Sequence, residues 1–174
     1  MLSLLLITSI YAQQYMPLDN HSSIKFTIKN FGINVSGTMK GLNGTIHFEP
    51  DNLQSAVFNV RLDASTINTD NNTRDNHLKK EEYLNVKKYQ YISFSSTQVK
   101  VTGDGKYLLL GNITIKGVTK PITIPFSVIK QNDDLLFTGD FNLNRRDFNV
   151  GGNSFIMSDN LSVTLSVYAK KVNL

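Results

Sequence analysis

The amino-acid sequence predicts an all-β protein, an antiparallel β-barrel of about eight to nine strands with one short helical insertion around residues 73–84. Apolar and polar residues alternate along most of the chain, which is the pattern of strands with one buried and one exposed face. Short turn motifs separate the alternating segments and favour antiparallel neighbours joined by hairpins. The alternation stops at one place, Ser65–Leu84, where we expect the helix.

Four strands are expected before this interruption, at residues 23–29, 33–39, 46–48 and 56–64. Gly37 lies inside the second of these, and a glycine within a strand suggests a kink or bulge. The segment Lys40–Gly44 contains two glycines and an asparagine, so we expect it to turn the chain into the third strand. Asp19–Ser22 is expected to be a turn before the first strand.

The predicted helix follows a polar run, Thr69–Thr73, that no strand would favour. Asn72 or Thr73 can act as its N-cap, because a side-chain oxygen there accepts a hydrogen bond from an unpaired backbone amide. Arg74 and Leu78 are one helical turn apart and should share a face. A short helix in a β protein is suited to plug or rim a barrel.

Five more strands are expected after the helix, at residues 92–94, 107–115, 121–128, 135–143 and 161–169. Hairpin turns are predicted at Gly103–Gly105, Lys116–Gly117 and Asn132–Asp134, and Pro121 is expected to open its strand. Asn144–Asp159 should be irregular. Closure of these strands into a barrel removes exposed edges, and about eight strands enclose either their own side chains or one small ligand.

Length and composition indicate one soluble globular domain, residues 13–174, with 18% charged residues and a net charge of +4. Lysine and arginine are scattered along the chain, so we expect no nucleic-acid partner. The mild positive charge is compatible with a transient contact with an anionic membrane surface. Oligomeric state has no signature in this sequence.

The first twelve residues resemble a secretory leader. Leu2–Ile10 is apolar, and Ala12 precedes the polar Gln13 as a small residue before a cleavage site. We therefore expect a signal peptide at residues 1–12 and a periplasmic or secreted mature protein. A first β-strand or an uncleaved anchor are the alternatives, although the run is shorter than the roughly 20 residues that span a bilayer.

No motif for catalysis or metal binding is present. The chain has no cysteine, which excludes disulfides and thiolate ligands, and the three histidines lie far apart in sequence. There is no Gly-x-Ser-x-Gly motif and no glycine-rich phosphate loop. We expect no cofactor, no metal ion and no enzyme activity.

Five separated segments point to a family. They are His21-Ser22-x-x-x-Phe26, Ser65-x-x-x-Thr69, Arg74-Asp75-x-His77-Leu78, Gly111-Asn112-Ile113-Thr114-Ile115-x-Gly117-Val118-Thr119-Lys120-Pro121 and Arg146-x-Phe148. Over residues 17–172 the chain thereby resembles the YceI-like family of lipid- and polyisoprenoid-binding bacterial periplasmic or secreted proteins. The resemblance implies an extended, lipocalin-like antiparallel barrel whose elongated apolar pore holds an isoprenoid chain. Asn30 and Asn149 stand where family members often have histidine and glycine.

The function expected from this resemblance is non-catalytic binding, transport or storage of an isoprenoid or other long-chain lipid inside the barrel. Arg74 and His77 are the candidates for contact with its head group, whereas Asp75 is expected to fix the helix to the barrel. The residues expected to form the apolar wall of the pore are Phe26, Ile28, Phe58, Val60, Leu62, Phe94, Ile113, Ile115, Phe126 and Phe141.

Two other functions remain open at this point. An enzyme or isomerase would act on a lipid in the same pore, with Arg74, Asp75 and His77 as acid, base or electrostatic groups. A barrel filled by its own side chains would act through its surface instead, because an apolar face usually means packing.

Overall fold

The computed structural model describes residues 13–172. Within this range the chain forms nine β-strands, one α-helix (α1, Asn72–Leu78) and three short 3-10 helical turns (Asp19–His21, Leu53–Ser55 and Arg145–Phe148). The strands are β1 Gln14–Pro17, β2 Ser23–Asn30, β3 Ile33–His47, β4 Val57–Asn68, β5 Tyr91–Gly103, β6 Lys106–Ile115, β7 Val118–Gln131, β8 Asp134–Asn144 and β9 Met157–Lys171.

The strands form a closed antiparallel barrel. The eight barrel strands are β2 to β9. Each pairs with the next along the chain, including β4 with β5, between which α1 is inserted, and β9 pairs with β2 to close the barrel. The ninth strand, β1, pairs with the last residues of β3 and β9. The predicted all-β barrel with a single helical insertion is therefore confirmed.

Antiparallel pairing gives the barrel two different ends. The α1 end carries the β2–β3 and β6–β7 hairpins, α1 with residues 79–90, and the segment 145–156 between β8 and β9. The aromatic end carries β1, the β5–β6 and β7–β8 hairpins, and the segment 48–56 between β3 and β4.

Aromatic side chains fill the interior at the aromatic end. Phe48, which follows β3, is fully buried, and its ring lies 5.3–6.1 Å from those of Phe58, Tyr107, Phe126 and Phe137. All four pairs are edge-to-face, the arrangement that the ring quadrupole favours. This part of the barrel is thus a packed core.

The predicted turn at Lys40–Gly44 is wrong, because β3 runs through it without a break. The strand pairing with β4 shifts register at this place, so the two glycines accommodate bulges and not a reversal of the chain. Gly44 has φ +141°, and a Cβ there would fall on the carbonyl oxygen of Asn59. At Gly37 a Cβ would collide with the ring of Phe26, so close approach explains that glycine.

The helix is shorter and starts earlier than predicted. α1 ends at Leu78, and its N-cap is Asn71, whose side-chain oxygen accepts a hydrogen bond from the Arg74 amide at 2.9 Å. Residues 79–90 are turns. The Leu84 amide donates to the Leu78 carbonyl at 3.0 Å, so the chain folds back on the helix C-terminus instead of continuing it.

Three strand starts also differ from the prediction, and one is that of β9, which begins at Met157 inside the segment Asn144–Asp159 that was expected to be irregular. β1 was not expected. Because β3 joins the two strands predicted at 33–39 and 46–48, the number of strands still agrees with the prediction. β7 starts at Val118, which places Pro121 inside it. In the described chain β8 pairs with β7 only from Phe126 onward. Pro121 therefore lies where β7 has one free edge, and its missing backbone N–H costs no hydrogen bond to β8. The 3-10 turn Arg145–Phe148 packs against β7.

The predicted signal peptide at residues 1–12 lies outside the described residues. Across residues 13–172, no helix has the length and apolar character needed to cross a membrane.

Candidate functional site

A cavity of about 300 Å³ occupies the barrel interior between the aromatic core and α1. Its lining residues on β9 run from Met157 to Val167. At about 3.3 Å per residue and a strand tilt of about 40°, this corresponds to roughly 25 Å along the barrel axis. The interior is therefore packed at one end and hollow over the rest, a combination that composition could not distinguish from a filled core.

The ten residues predicted for the pore wall all line this cavity. They come from six of the eight barrel strands, as expected if the apolar positions of each alternating strand face inward. Whether they contact a ligand stays a prediction. Further apolar wall residues share the same faces and the same signal: Ile24, Val35, Met39, Leu42, Ile46, Ile67, Ile92, Leu109, Ile124, Phe137, Leu143, Leu161, Val163, Leu165 and Val167.

The floor of the cavity is the aromatic core. Phe58, Phe126 and Phe137 belong to both, with ring centroids 5.5–6.1 Å apart. A ligand chain that enters the cavity can extend only as far as these rings. The length of the hollow is thus set by side chains and not by the length of the strands.

Arg74 lines the cavity from α1. Its Nε donates to Thr69 Oγ1 and its Nη2 to the Thr69 carbonyl, both at 2.7 Å. Among the described residues, Arg74 Nη1 has no hydrogen-bond acceptor, and the guanidinium forms no ion pair with a carboxylate. Arg74 therefore brings a positive charge to the α1 end of an apolar cavity.

Asp75 and His77 lie elsewhere. Asp75 is buried, does not line the cavity, and accepts hydrogen bonds from the Thr69 amide (2.9 Å) and hydroxyl (2.6 Å). It thereby ties α1 to the end of β4, the structural role expected for it. His77 is exposed outside the cavity wall, and its ring lies 4.9 Å from that of Tyr83, which does line the cavity. A head-group contact from His77 stays an untested prediction.

Arg145 is a buried wall residue that the sequence did not single out. Its guanidinium donates to the carbonyl oxygens of Val150, Gly152 and Ser158 and forms an ion pair with Asp159 at 2.6 Å. These contacts hold the segment between β8 and β9 over the cavity. Arg145 differs from Arg74 because the protein itself accepts the hydrogen bonds of its guanidinium. In the sequence Arg145 stands next to Arg146, and nothing there indicates which of the two is buried.

The loops at the α1 end are tied to one another. Lys116 in the β6–β7 hairpin donates to the carbonyl oxygens of Glu82 (3.0 Å) and Asn149 (2.7 Å). The Gly151 amide donates to the same Glu82 oxygen at 2.9 Å. Three segments distant in sequence thus form one cover over this side of the cavity.

The groups with perturbed titration lie at the aromatic end, away from the cavity. Burial raises the pKa of Tyr15, and nearby carboxylates add to this effect. A hydrogen bond from the Tyr168 hydroxyl (2.6 Å) and one from the Lys171 amide (2.8 Å) lower the pKa of Asp134. The first of these bonds also raises the pKa of Tyr168. These shifts concern the packing of β8 on β9.

Among residues 13–172 we find no group of three or more histidine, cysteine or acidic side chains that could hold a metal ion.

The sequence profile of the YceI-like domain matches residues 15–169, almost the whole described chain. The chain belongs to the YceI-like family. Among its relatives is a UPF0312 protein of Yersinia pestis, 32% identical over 159 residues, an alignment that covers 87% of this chain and 82% of the relative.

Solved structures show the same YceI-like barrel. Burkholderia cenocepacia BcnA superposes with a TM-score of 0.84 at 21% identity, covering 88% of this chain and 99% of BcnA. A polyisoprenoid binding domain from Saccharophagus degradans, implicated in plant cell wall breakdown, superposes with a TM-score of 0.73 at 11% identity, covering 93% of this chain and all of that domain. At these identities the similarity establishes the fold.

Proposed function

We propose that this protein binds one long apolar lipid, an isoprenoid or a chain of similar character, in the barrel cavity without transforming it. The observation that carries the proposal is the hollow itself, which is long, apolar and closed at one end by aromatic rings. The YceI-like family and the polyisoprenoid binding described for the Saccharophagus domain support it.

The energetics of such a complex need no specific polar contact. Burial of hydrocarbon contributes about 0.8 kcal/mol per methylene-sized group, so ten buried groups contribute about 8 kcal/mol before the cost of ordering the chain. A volume of about 300 Å³ is at the lower end for ligand pockets, which suits a single chain. Affinity should therefore rise with chain length until the ligand reaches the aromatic floor.

Arg74 is placed to select the head group. A guanidinium with donors left over at the end of an apolar cavity favours an anionic or strongly polar partner, and phosphate is well matched to it. We therefore expect a polyprenyl phosphate to bind more tightly than the corresponding alcohol, with its chain toward the floor and its phosphate near α1.

Two alternatives are less well supported by the geometry. An enzyme in this pore would need the proposed acid and base to reach the ligand, yet Asp75 is engaged by Thr69 and His77 lies outside the wall. A barrel that acts only through its surface would need no hollow, and this interior is packed only at the aromatic end. The predicted leader supports a location in the periplasm or outside the cell, where we propose that the protein transports or stores the lipid. N-terminal sequencing of the mature protein tests the location.

The first experiment is lipid extraction and mass spectrometry of the purified protein, followed by uptake of polyprenyl alcohols and phosphates of increasing length. Retention or uptake of one chain per protein is the expected result. Well-folded protein that neither retains nor takes up any long isoprenoid would refute the proposal.

The second experiment separates head-group selection from chain binding. Arg74→Gln removes the charge, and we expect about 10–100-fold weaker binding of the phosphate with little change for the alcohol, as for loss of a charge-assisted hydrogen bond. Lys80→Gln removes a positive charge from an exposed side chain just after the same helix and outside the cavity wall, so it is the matched control and should leave both affinities unchanged. Equal losses for alcohol and phosphate would show that Arg74 acts through folding of α1 instead.

A further inference from the structure

Four large apolar side chains are exposed together at the α1 end. Phe31 (70% exposed) and Ile33 (69%) lie on the β2–β3 hairpin, and Phe155 (109%) and Ile156 (47%) lie in the segment before β9. The Phe31 amide donates to the Ile156 carbonyl at 2.8 Å, so the two loops are joined. We call these four residues the apolar tip.

The backbone at Phe31 is unusual for an aromatic residue. Phe31 and Gly32 have φ of +51° and +75°, the geometry of a two-residue hairpin turn in which Asn-Gly is the preferred sequence. The other non-glycine residues with positive φ in residues 13–172 are asparagine, aspartate and lysine. A bulky side chain in this region is disfavoured, and such outliers concentrate at functional sites. Local folding thus does not account for a phenylalanine here.

The hairpin that carries Phe31 extends beyond the neighbouring strand. β3 pairs with β2 from Ile33 onward but with β4 only from Thr38 onward. Over residues 33–37 β3 is therefore an edge strand beside β2, which is itself paired with β9 as far as Asn30, and the apolar side chains lie at the end of this three-stranded corner. The patch is a pair of protruding loops and not a flat face or a groove.

The apolar tip is continuous with the cavity. Asn30 pairs with Met157 at the base of the two loops, and both residues line the cavity. Whatever covers the tip is thereby in contact with the end of the hydrocarbon-lined interior.

We propose that the apolar tip inserts into the surface of a lipid bilayer and docks the α1 end of the cavity on it. Protruding aromatic and aliphatic residues match the boundary between head groups and acyl chains, where aromatic side chains are enriched. A protein partner would instead bury a broad complementary surface. Lys29, exposed on β2 beside the tip, adds attraction to anionic head groups. This docking does not depend on what the cavity holds.

Co-sedimentation of the full chain with vesicles of phosphatidylcholine and phosphatidylglycerol tests the docking. In the double variant Phe31→Asn, Phe155→Ser we expect the partition to fall at least about tenfold, since each phenyl ring contributes to burial in the bilayer. The matched control removes two exposed apolar residues at the opposite end, Val101→Ser and Ile129→Ser, and should leave the partition unchanged. Equal partition of the tip variant and the control would refute the proposal.

A tryptophan reporter shows which part of the protein meets the membrane. The chain contains no tryptophan, so Phe155→Trp and Ile129→Trp each introduce a single one. We expect vesicles to shift the emission of the Phe155→Trp protein to the blue and brominated acyl chains to quench it, with neither effect for Ile129→Trp. Quenching only at the opposite end, or a tip emission that shifts on self-association without vesicles, would overturn the proposal.

Thermal unfolding separates docking from folding. Asparagine adopts positive φ more readily than phenylalanine, so Phe31→Asn should raise the Tm while it lowers membrane partition. If Phe31→Asn lowers the Tm together with partition, Phe31 is a structural residue and the proposal fails.

Discussion

Val60→Phe tests directly whether the barrel is hollow. Val60 is on the inward face of β4, lines the cavity and is not fully buried. Its cross-strand partners are Gly44, which has no side chain, and Phe94. A larger side chain at this position therefore has space ahead of it.

The sign of the stability change distinguishes a hollow from a packed interior. Phenylalanine adds four carbons, and at about 0.8 kcal/mol per buried group this gives an upper limit of about 3 kcal/mol of stabilisation. In a packed core the same enlargement would cost about 1–3 kcal/mol. We expect Val60→Phe to stabilise the lipid-free protein by about 1–3 kcal/mol and to weaken lipid binding about 100-fold, because the ring occupies the space of four ligand carbons.

Urea unfolding of lipid-free protein measures the stability, and uptake of a polyprenyl alcohol measures the binding. Val57→Phe makes the same change on the exposed face of the same strand and should stay within about 0.5 kcal/mol of the parent. Ala169→Leu enlarges a fully buried residue at the aromatic end and should destabilise by about 1–3 kcal/mol. If Val60→Phe behaves like Ala169→Leu and binding is unchanged, the hollow is not the binding site.

Three further predictions concern the elements that frame the cavity. Asp75→Ala leaves two buried donors of Thr69 without an acceptor and should lower the free energy of unfolding by about 3–5 kcal/mol, measured by thermal unfolding. Asp75→Asn keeps an acceptor and should cost clearly less. Equal losses of stability in the two variants would contradict the hydrogen-bond argument. Gly44→Ala should destabilise by at least about 1 kcal/mol, because a Cβ meets a backbone carbonyl of β4, and an unchanged urea midpoint would contradict this. The lowered pKa of Asp134 stabilises the fold at pH values above the ordinary pKa of the carboxyl group, and this stabilisation is lost as pH falls. Tyr168→Phe removes the hydroxyl that donates to Asp134, so it should raise the pKa of Asp134 measured by NMR and move acid unfolding to higher pH. An unchanged pKa would be evidence against the Tyr168–Asp134 hydrogen bond.

The barrel could be predicted because its signals are local. Alternation with period two places successive side chains on opposite faces, so the inward direction of Phe26 or Ile113 follows from the sequence. Hairpin turns such as Lys116–Gly117 are specified by the residues they contain. One error occurred where glycine has more than one use: at Gly41 and Gly44 the sequence suggested a turn, but contacts with β4 make the site a bulge within a single long strand.

The site was predicted less completely, since its polar members depend on contacts between distant segments. Arg74 and His77 are three residues apart, yet one lines the cavity and the other faces solvent beside Tyr83. Arg145 became a buried wall residue only because the segment before β9 supplies Asp159 and several carbonyl oxygens. No local pattern encodes such partners.

By itself the sequence determined the fold class, the family and the inward faces of the strands, because strand periodicity and turn chemistry act over a few residues. Only the tertiary structure decided that the side chains on those inward faces pack against one another at one end of the barrel and not along its whole length. Five aromatic rings from β4, β6, β7, β8 and the segment after β3 converge at one end, while the shape of the closed barrel and the cover of α1 leave the remaining side chains too far apart to interlock. The hollow is a property of the distance across the barrel, which no single strand specifies.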